Sequence, residues 1–304
     1  MKQIQLGQSN LKVSDIALGC MRMSNLEISE AAKVLDASIA GGINFFDHAD
    51  IYGGGESEVV FSKAIKELNV SRENLILQSK CGITKQGFNF SKGHIVDSVD
   101  GILKRLDTDY LDLLVLHRPD ALMEPEEIAS AFNELEKNGK VRQFGVSNQN
   151  PQQIELLKTA IEQPLVVNQL QFGLKHTGML DEGFNVNNIY QGEQPSAGLL
   201  EYSRREKMTI QAWSPLQYGY FEGVFIGHEK FPELNAALDK LANKYEVSSS
   251  AIAIAWILRH PAKMQVLLGS MNVSRIESMI KATDVYLTHE EWYDLYKVAG
   301  NILP

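Results

Sequence analysis

Short apolar, β-rich runs alternate with amphipathic stretches along nearly the whole chain, and this alternation constrains the fold more than any other feature. The candidate strands are Ile16–Cys20, Asn44–Asp47, Leu75–Lys80, Leu111–His117, Gln143–Ser147, Val166–Gln171, Thr209–Ser214 and Gln265–Gly269. Between them lie stretches with apolar residues at helical spacing, among them Ser29–Ala40, Ser57–Leu68, Ile95–Leu106, Pro125–Lys137 and Pro151–Ile161. Ser29 followed by Glu30, and the prolines Pro125 and Pro151, are helix-start signals. Strand–helix alternation implies a parallel sheet, and eight such units favour closure over an open sheet. IQLGQSNLKVS reads as a hairpin around a Gly-Gln-Ser-Asn turn. Two further helices fit the tail, Ser248–Arg259 and His289–Val298. The expected architecture is α/β: a (β/α)8 TIM barrel with an N-terminal β-hairpin and two extra helices, forming one domain over residues 1–304. Two long stretches, 172–195 and 217–232, interrupt the repeat after the sixth and seventh strands and would overhang the barrel mouth.

The net charge of −9 argues against a nucleic-acid phosphate surface or an anionic membrane as the main partner. No apolar stretch reaches transmembrane length, and MKQIQLGQSN lacks the apolar core of a signal peptide. Cys20 and Cys81 show no metal-ligand spacing. The expectation is a cytoplasmic, reduced, metal-free protein acting on a small molecule, as a monomer or weak homo-oligomer.

Four residues carry the chemistry. Asp47 and Tyr52 lie in FFDHADIYGGGESE, Lys80 in LILQSKCG and His117 in YLDLLVLHRPD. Asp47, Lys80 and His117 end successive strands, and Tyr52 follows in the loop after the first of these. A parallel barrel gathers its strand ends around one mouth. A free phenol has a pKa of about 10, and a neighbouring ammonium lowers it. Lys80 can therefore tune Tyr52 as a proton donor while Asp47 holds Lys80, and His117 can orient a carbonyl oxygen. Each residue alone has an ordinary explanation as a loop anchor, a solvated amine, a turn residue or a helix cap. Four on one face are catalytic equipment for reducing an aldehyde or ketone.

These residues resemble the aldo-keto reductases, in a short-tailed bacterial branch. NFFDHADIYGGGESE is similar to the family's Asp-to-Tyr segment, RLDTDYLDLLVLHRPD to the segment bearing its histidine, GKVRQFGVSN to the fifth-strand segment and WSPL to the start of its cofactor belt. The resemblance spans nearly the whole chain. It implies Tyr52 as proton donor, with Asp47, Lys80 and His117 completing the tetrad, in an NADP-dependent carbonyl reductase.

No GxGxxG follows an early strand, so a Rossmann cradle is not indicated. Ser147, Asn148 and Gln169 can hydrogen-bond a carboxamide, and Trp213 can stack on a nicotinamide ring. Gly269 and Ser270 lead into a helix N-terminus, with Arg275 one turn on, which suits a phosphate. The resemblance puts Ser270, Asn272 and Arg275 at the adenosine 2′-phosphate, hence NADPH/NADP+. It completes the cofactor set with Gly19, Cys20, Met21, Asp47, Ser214 and Leu216. Gly269 stands where many members carry Lys, and Ser278 and Met279 where many carry Glu-Asn, which implies looser binding. Met21, Met23, Phe172, Tyr218, Tyr220 and Phe221 could wall a substrate pocket. Arg22 could attract a substrate anion or form an exposed salt bridge. Cys81 adjoins Lys80, whose charge could lower its thiol pKa; a small buried hydrophobe is the alternative. The rival to a reductase is a nicotinamide-binding regulatory or subunit protein with little turnover.

Overall fold

Eight parallel strands close into a barrel in the computed structural model, which describes residues 1–186 and 197–304. Around the barrel run β3 (Ile16–Gly19), β4 (Phe45–Asp47), β5 (Ile76–Cys81), β8 (Leu113–Leu116), β9 (Phe144–Ser147), β10 (Leu165–Gln171), β11 (Thr209–Trp213) and β14 (Gln265–Leu268), which pairs back to β3. The first connections are α1 (Ile28–Ala40), α2 (Glu56–Glu67), α3 (Lys92–Leu106), α4 (Pro125–Lys137) and α5 (Pro151–Lys158). Next come α6 (Gly178–Phe184) and α7 (Leu199–Arg205), then α8 (Pro232–Tyr245) and α9 (Ser249–Leu258). After β14 follow α10 (Val273–Ile280) and α11 (His289–Val298). No described helix is long and apolar enough to cross a membrane.

Strand side chains alternate with period two, so every second residue points into the barrel. Phe45 thus shares a face with Asp47, Gln78 with Lys80, Leu113 and Val115 with His117, and Leu267 with Gly269. The lower interior is apolar: Ala17, Phe45, Leu113, Val115, Val167 and Leu267 cluster with Leu6 and Val13 of the N-terminal segment. Leu6 follows β1 (Gln3–Gln5) and Val13 lies in β2 (Lys12–Ser14), and the two strands form an antiparallel hairpin that closes the end opposite the mouth. Gly7 N–H donates to Thr209 Oγ1 at 2.8 Å, and Ser14 N–H to Asn44 Oδ1 at 2.8 Å. Gly7 has φ +54°, and a Cβ there would sit 2.3 Å from the Val166 carbonyl oxygen, so only glycine fits under the strands.

The barrel, the hairpin and the strand positions agree with the sequence reading; several helices and loops differ. Ser248–Arg259, expected in the tail, is α9 and lies between β11 and β14. Its residues Ala251–Ile257 are buried all round because α8, unanticipated, packs against it. Only α11 of the expected pair is a tail helix. It is locked to α9 by reciprocal bonds: Trp256 Nε1–H to Trp292 O at 3.0 Å and Trp292 Nε1–H to Trp256 O at 2.9 Å, under rings stacked at 4.8 Å.

Stretch 217–232 is partly a hairpin, β12 (Gln217–Tyr218) with β13 (Gly223–Val224), and a smaller hairpin, β6 (Ile83–Thr84) with β7 (Gly87–Phe88), follows β5. Stretch 172–195 contains α6, and its part from 187 onward falls outside the described residues. Helix α1 begins at Ile28 rather than Ser29, because the Glu30 carboxylate reaches back to Glu27 N–H at 3.2 Å. Helix α3 begins at Lys92 because Ser91 caps it, and α5 ends at Lys158 rather than Ile161.

Candidate active site

The uppermost inward positions of neighbouring strands converge at one mouth. Gly19 faces Asp47 across β3 and β4, Asp47 faces Gln78 across β4 and β5, and Gln169 lies between Ser147 and Gln211. Lys80 is fully buried, yet its three protons are all placed. Nζ lies 2.7 Å from Asp47 Oδ1 and 2.8 Å from Oδ2, and donates to the His48 carbonyl at 2.8 Å and to Tyr52 Oη at 3.1 Å. Burial works against this ammonium, but Asp47 and Tyr52 outweigh it and hold the pKa above the ordinary lysine value.

Tyr52 reaches the mouth because three glycines reverse the chain behind it. Gly53, Gly54 and Gly55 have φ of +61°, +66° and +96°, where L-residues are strained. The Tyr52 oxygen accepts from Lys80, so its own proton is free to point into the mouth. Burial raises the Tyr52 pKa above its ordinary value even though Lys80 lowers it, which corrects the expectation of a net depression. His117 sits edge-on to Tyr52, with ring centroids 6.0 Å apart. Burial, then Lys80 and Arg118, push its pKa well down, so the imidazole is neutral; its buried Nδ1 has no partner among the described residues.

Beneath the tetrad lies a layer of amides, of which the sequence reading named only Gln169. Gln78 Nε2 and Gln169 Nε2 both donate to Asp47 Oδ1, the latter at 3.0 Å. Gln169 Nε2 also donates to Gln211 Oε1 at 3.1 Å, Gln211 Nε2 to Gln265 Oε1 at 2.8 Å, and Gln265 Nε2 to the Ser14 carbonyl at 2.7 Å. All four glutamines are buried. For Gln78 and Gln211 the available signal was their period-two spacing from Lys80 and Trp213. Behind Tyr52, the fully buried Glu58 accepts from Ser79 Oγ at 2.7 Å and pairs with Arg105 Nε at 2.7 Å. Burial, then the charge of Glu58, push Asp50 up to about 7, and one of its carboxylate oxygens lacks a partner among the described residues.

The other expected site residues fall into three groups. Ser147 Oγ donates to the Gln169 carbonyl at 2.9 Å and accepts from Asn148 Nδ2 at 2.7 Å, while Asn148 Oδ1 accepts from Trp213 Nε1 at 3.3 Å. With the Gln169 amide nitrogen spent, its Oε1 is the atom left for a carboxamide. Asn148 and Ser214 hold φ of +56° and +49°, local strain of the kind that concentrates at ligand sites. Gly19 and Gly269 leave the floor between them open: a Cβ would meet the Leu268 carbonyl oxygen at 3.2 Å and Arg22 Nη1 at 3.0 Å respectively. Cys20 is buried with its N–H on the Asp47 carbonyl, Met21 is exposed, and Leu216 is half-buried beside the β12–β13 hairpin. The second group begins α10: Asn272 caps it by accepting from Arg275 N–H at 3.0 Å, and Ser270 Oγ accepts from Asn272 N–H at 3.2 Å. Arg275 is exposed. These residues fit a dinucleotide laid from the mouth to the start of α10.

The third group, the substrate wall, needs correction. Met23 and Phe172 are fully buried members of the hydrophobic core, and Phe172 packs on Trp256 at 5.4 Å. Tyr218 is buried against His228 and Phe231. Met21, Tyr220 and Phe221 are exposed at the rim, with Phe221 stacked on Trp213 at 5.9 Å. Arg22 donates to the Gly269 carbonyl at 3.0 Å instead of forming a salt bridge. Cys81 is fully buried, and burial followed by Asp50 push its thiol pKa up, not down. It is a small buried hydrophobe, not a reactive thiol.

Known proteins share this architecture and sequence. A 6-dehydroglucose reductase of Agrobacterium fabrum is 33% identical, with 98% of each chain covered. A probable voltage-gated potassium channel subunit beta of Oryza sativa is 30% identical, with 94% of this chain and 92% of that one covered. The crystal structure of the thermostable aldo-keto reductase Tm1743 with the inhibitor epalrestat superposes with a TM-score of 0.79 at 27% identity, over 98% of this chain and 100% of that one. With the aldo/keto reductase family model matching residues 15–299 as well, the chain belongs to the aldo/keto reductase family.

Proposed function

We propose that this chain reduces aldehydes or ketones to alcohols, with NADPH as hydride source and Tyr52 as proton donor. The observation that carries the reading is the bonded series Asp47–Lys80–Tyr52 beside a neutral His117 at the mouth of a closed barrel. Bound NADPH supplies a hydride to the carbonyl carbon. The protein's own work is at the oxygen. His117 can hydrogen-bond that oxygen, which fixes the carbonyl and stabilises the charge it gains. Tyr52 then gives its proton, and Lys80, 3.1 Å away, stabilises the phenolate left behind. Burial keeps Tyr52 protonated at neutral pH, so the resting enzyme holds the acid form. Asp47 keeps Lys80 aimed, and Gln78 and Gln169 keep Asp47 aimed.

The nicotinamide end fits Gln169 Oε1, Ser147, Asn148 and the Trp213 ring. The exposed Arg275 beside the capped start of α10 suits a 2′-phosphate, which favours NADPH over NADH. The 6-dehydroglucose reductase relative supports a carbonyl substrate. The channel-subunit relative supports a second reading, a nicotinamide-binding subunit with little turnover.

NADPH oxidation with a panel of aromatic and short aliphatic aldehydes separates the two. Tyr52→Phe is expected to lose about 10²–10⁴-fold in turnover while keeping its affinity for NADPH. Tight NADPH binding with no Tyr52-dependent turnover across the panel would favour the subunit reading.

A further inference from the structure

We propose that Arg118 is the anion-recognising residue of the substrate pocket, and that the preferred substrates are aldehydes or ketones bearing a carboxylate or phosphate. This rests on the reductase reading above. Arg118 directly follows His117 at the end of β8, and Pro119 after it restricts its backbone to extended conformations. Its guanidinium carbon lies 5.7 Å from the centre of the Trp213 ring, the aromatic face at the mouth. The same charge contributes to holding His117 neutral, which places it beside the group that meets the carbonyl oxygen.

Arg118 is half-buried, yet it makes no ion pair or hydrogen bond among the described residues. Other partly buried arginines around the barrel are paired: Arg105 with Glu58 at 2.7 Å and Arg72 with Asp112 at 2.8 Å. The acid nearest in sequence, Asp120, is occupied elsewhere. Its Oδ2 accepts from Phe90 N–H and its Oδ1 from Leu122 N–H, both at 2.9 Å. A planar, five-donor cation held on an aromatic face, with its natural partner diverted, is arranged for an external carboxylate or phosphate. The exposed Phe221 stacks on the same Trp213 ring at 5.9 Å. This apolar surface beside the guanidinium suits the carbon skeleton between the carbonyl and the charge.

The test compares kcat/KM for matched pairs: 4-carboxybenzaldehyde against its methyl ester, and glyceraldehyde 3-phosphate against glyceraldehyde. Wild type, Arg118→Gln, Arg118→Lys and Tyr52→Phe are run together. The charged-to-neutral ratio is expected to fall about tenfold or more in Arg118→Gln, the size of a lost hydrogen bond to a charged group. The fall should lie mainly in KM, with partial recovery in Arg118→Lys, and the wild-type ratio should shrink between about 0.05 M and about 0.5 M salt. A ratio equal in wild type and Arg118→Gln overturns the proposal while Tyr52-dependent turnover leaves the reductase reading standing. An NADPH Kd that rises as much as the ratio falls also overturns it, because Arg118 would then serve the cofactor. If wild type turns over none of the four aldehydes, the reductase reading fails and this inference fails with it.

Discussion

Asp50→Asn should stabilise the protein at alkaline pH and have little effect in acid. Asp50 sits beside Glu58, and its carboxyl is pushed from 3.8 to about 7, first by burial and then by that neighbouring charge. A raised folded-state pKa means that the native state keeps a proton the unfolded chain has released. Between these two values the native state binds more protons, so stability falls as pH rises, by about 1.4 kcal/mol per pH unit. Across the span from 3.8 to about 7 the loss approaches about 4 kcal/mol. Below the lower value both states are protonated and nothing is lost. Asparagine carries no such proton and escapes the penalty.

Guanidinium unfolding of wild type and Asp50→Asn at pH 4, 5.5, 7 and 8 measures the difference. The midpoints should nearly coincide at pH 4 and separate by about 0.7 M at pH 8, taking a slope of about 6 kcal/mol/M. Parallel midpoints from pH 4 to pH 8 would refute the argument, because Asp50 would then titrate alike in both states.

Arg105→Ala leaves Glu58 buried with Ser79 as its remaining partner, and should cost about 3 kcal/mol at pH 8. Because burial raises Glu58, that deficit should shrink as pH falls toward the ordinary carboxylate value, read as thermal midpoints across the pH range. Gln211→Leu breaks the amide layer at its centre and should cost about 1–3 kcal/mol. Adding Gln265→Leu should cost less than the sum of the two single changes, measured by a double-mutant cycle. Arg275→Ala should weaken NADPH about tenfold with NADH unchanged, followed by fluorescence titration; equal effects on both dinucleotides would remove Arg275 from the phosphate site.

The tetrad was legible because its signals are local. Apolar runs ending in Asp47, Lys80 and His117 announce both the strands and the face on which they end, and the three glycines after Tyr52 announce the turn. The amide layer was not legible, because its bonds join residues far apart: Gln169 meets Asp47 from six strands along the chain. The net rise in the Tyr52 pKa was hidden for a related reason: a neighbouring lysine can be guessed from sequence, but the depth of burial that opposes it cannot. Met23 and Phe172 show the same gap, since an apolar residue near a strand end can equally line a pocket or fill the core. Helix α8 could have been found from Pro232 at its start and Leu234, Leu238, Leu241 and Ala242 on one face.

The glutamines also decide which barrel this sequence can close into. Gln169 is the direct neighbour of Gln211, and Gln211 of Gln265, across three adjacent strands. Valine and leucine layers fill space in many alignments, and sliding one strand against the next changes little in such a layer. A slip of one residue in β11 would turn Gln211 toward the helices. It would also leave the Gln265 carbonyl and one proton of Gln169 unbonded in a dry interior. The alternative closures are thereby penalised in discrete steps. Part of the stability available from an oil-filled barrel is exchanged for a single permitted strand alignment, and that alignment brings side chains from separate strand ends to one mouth.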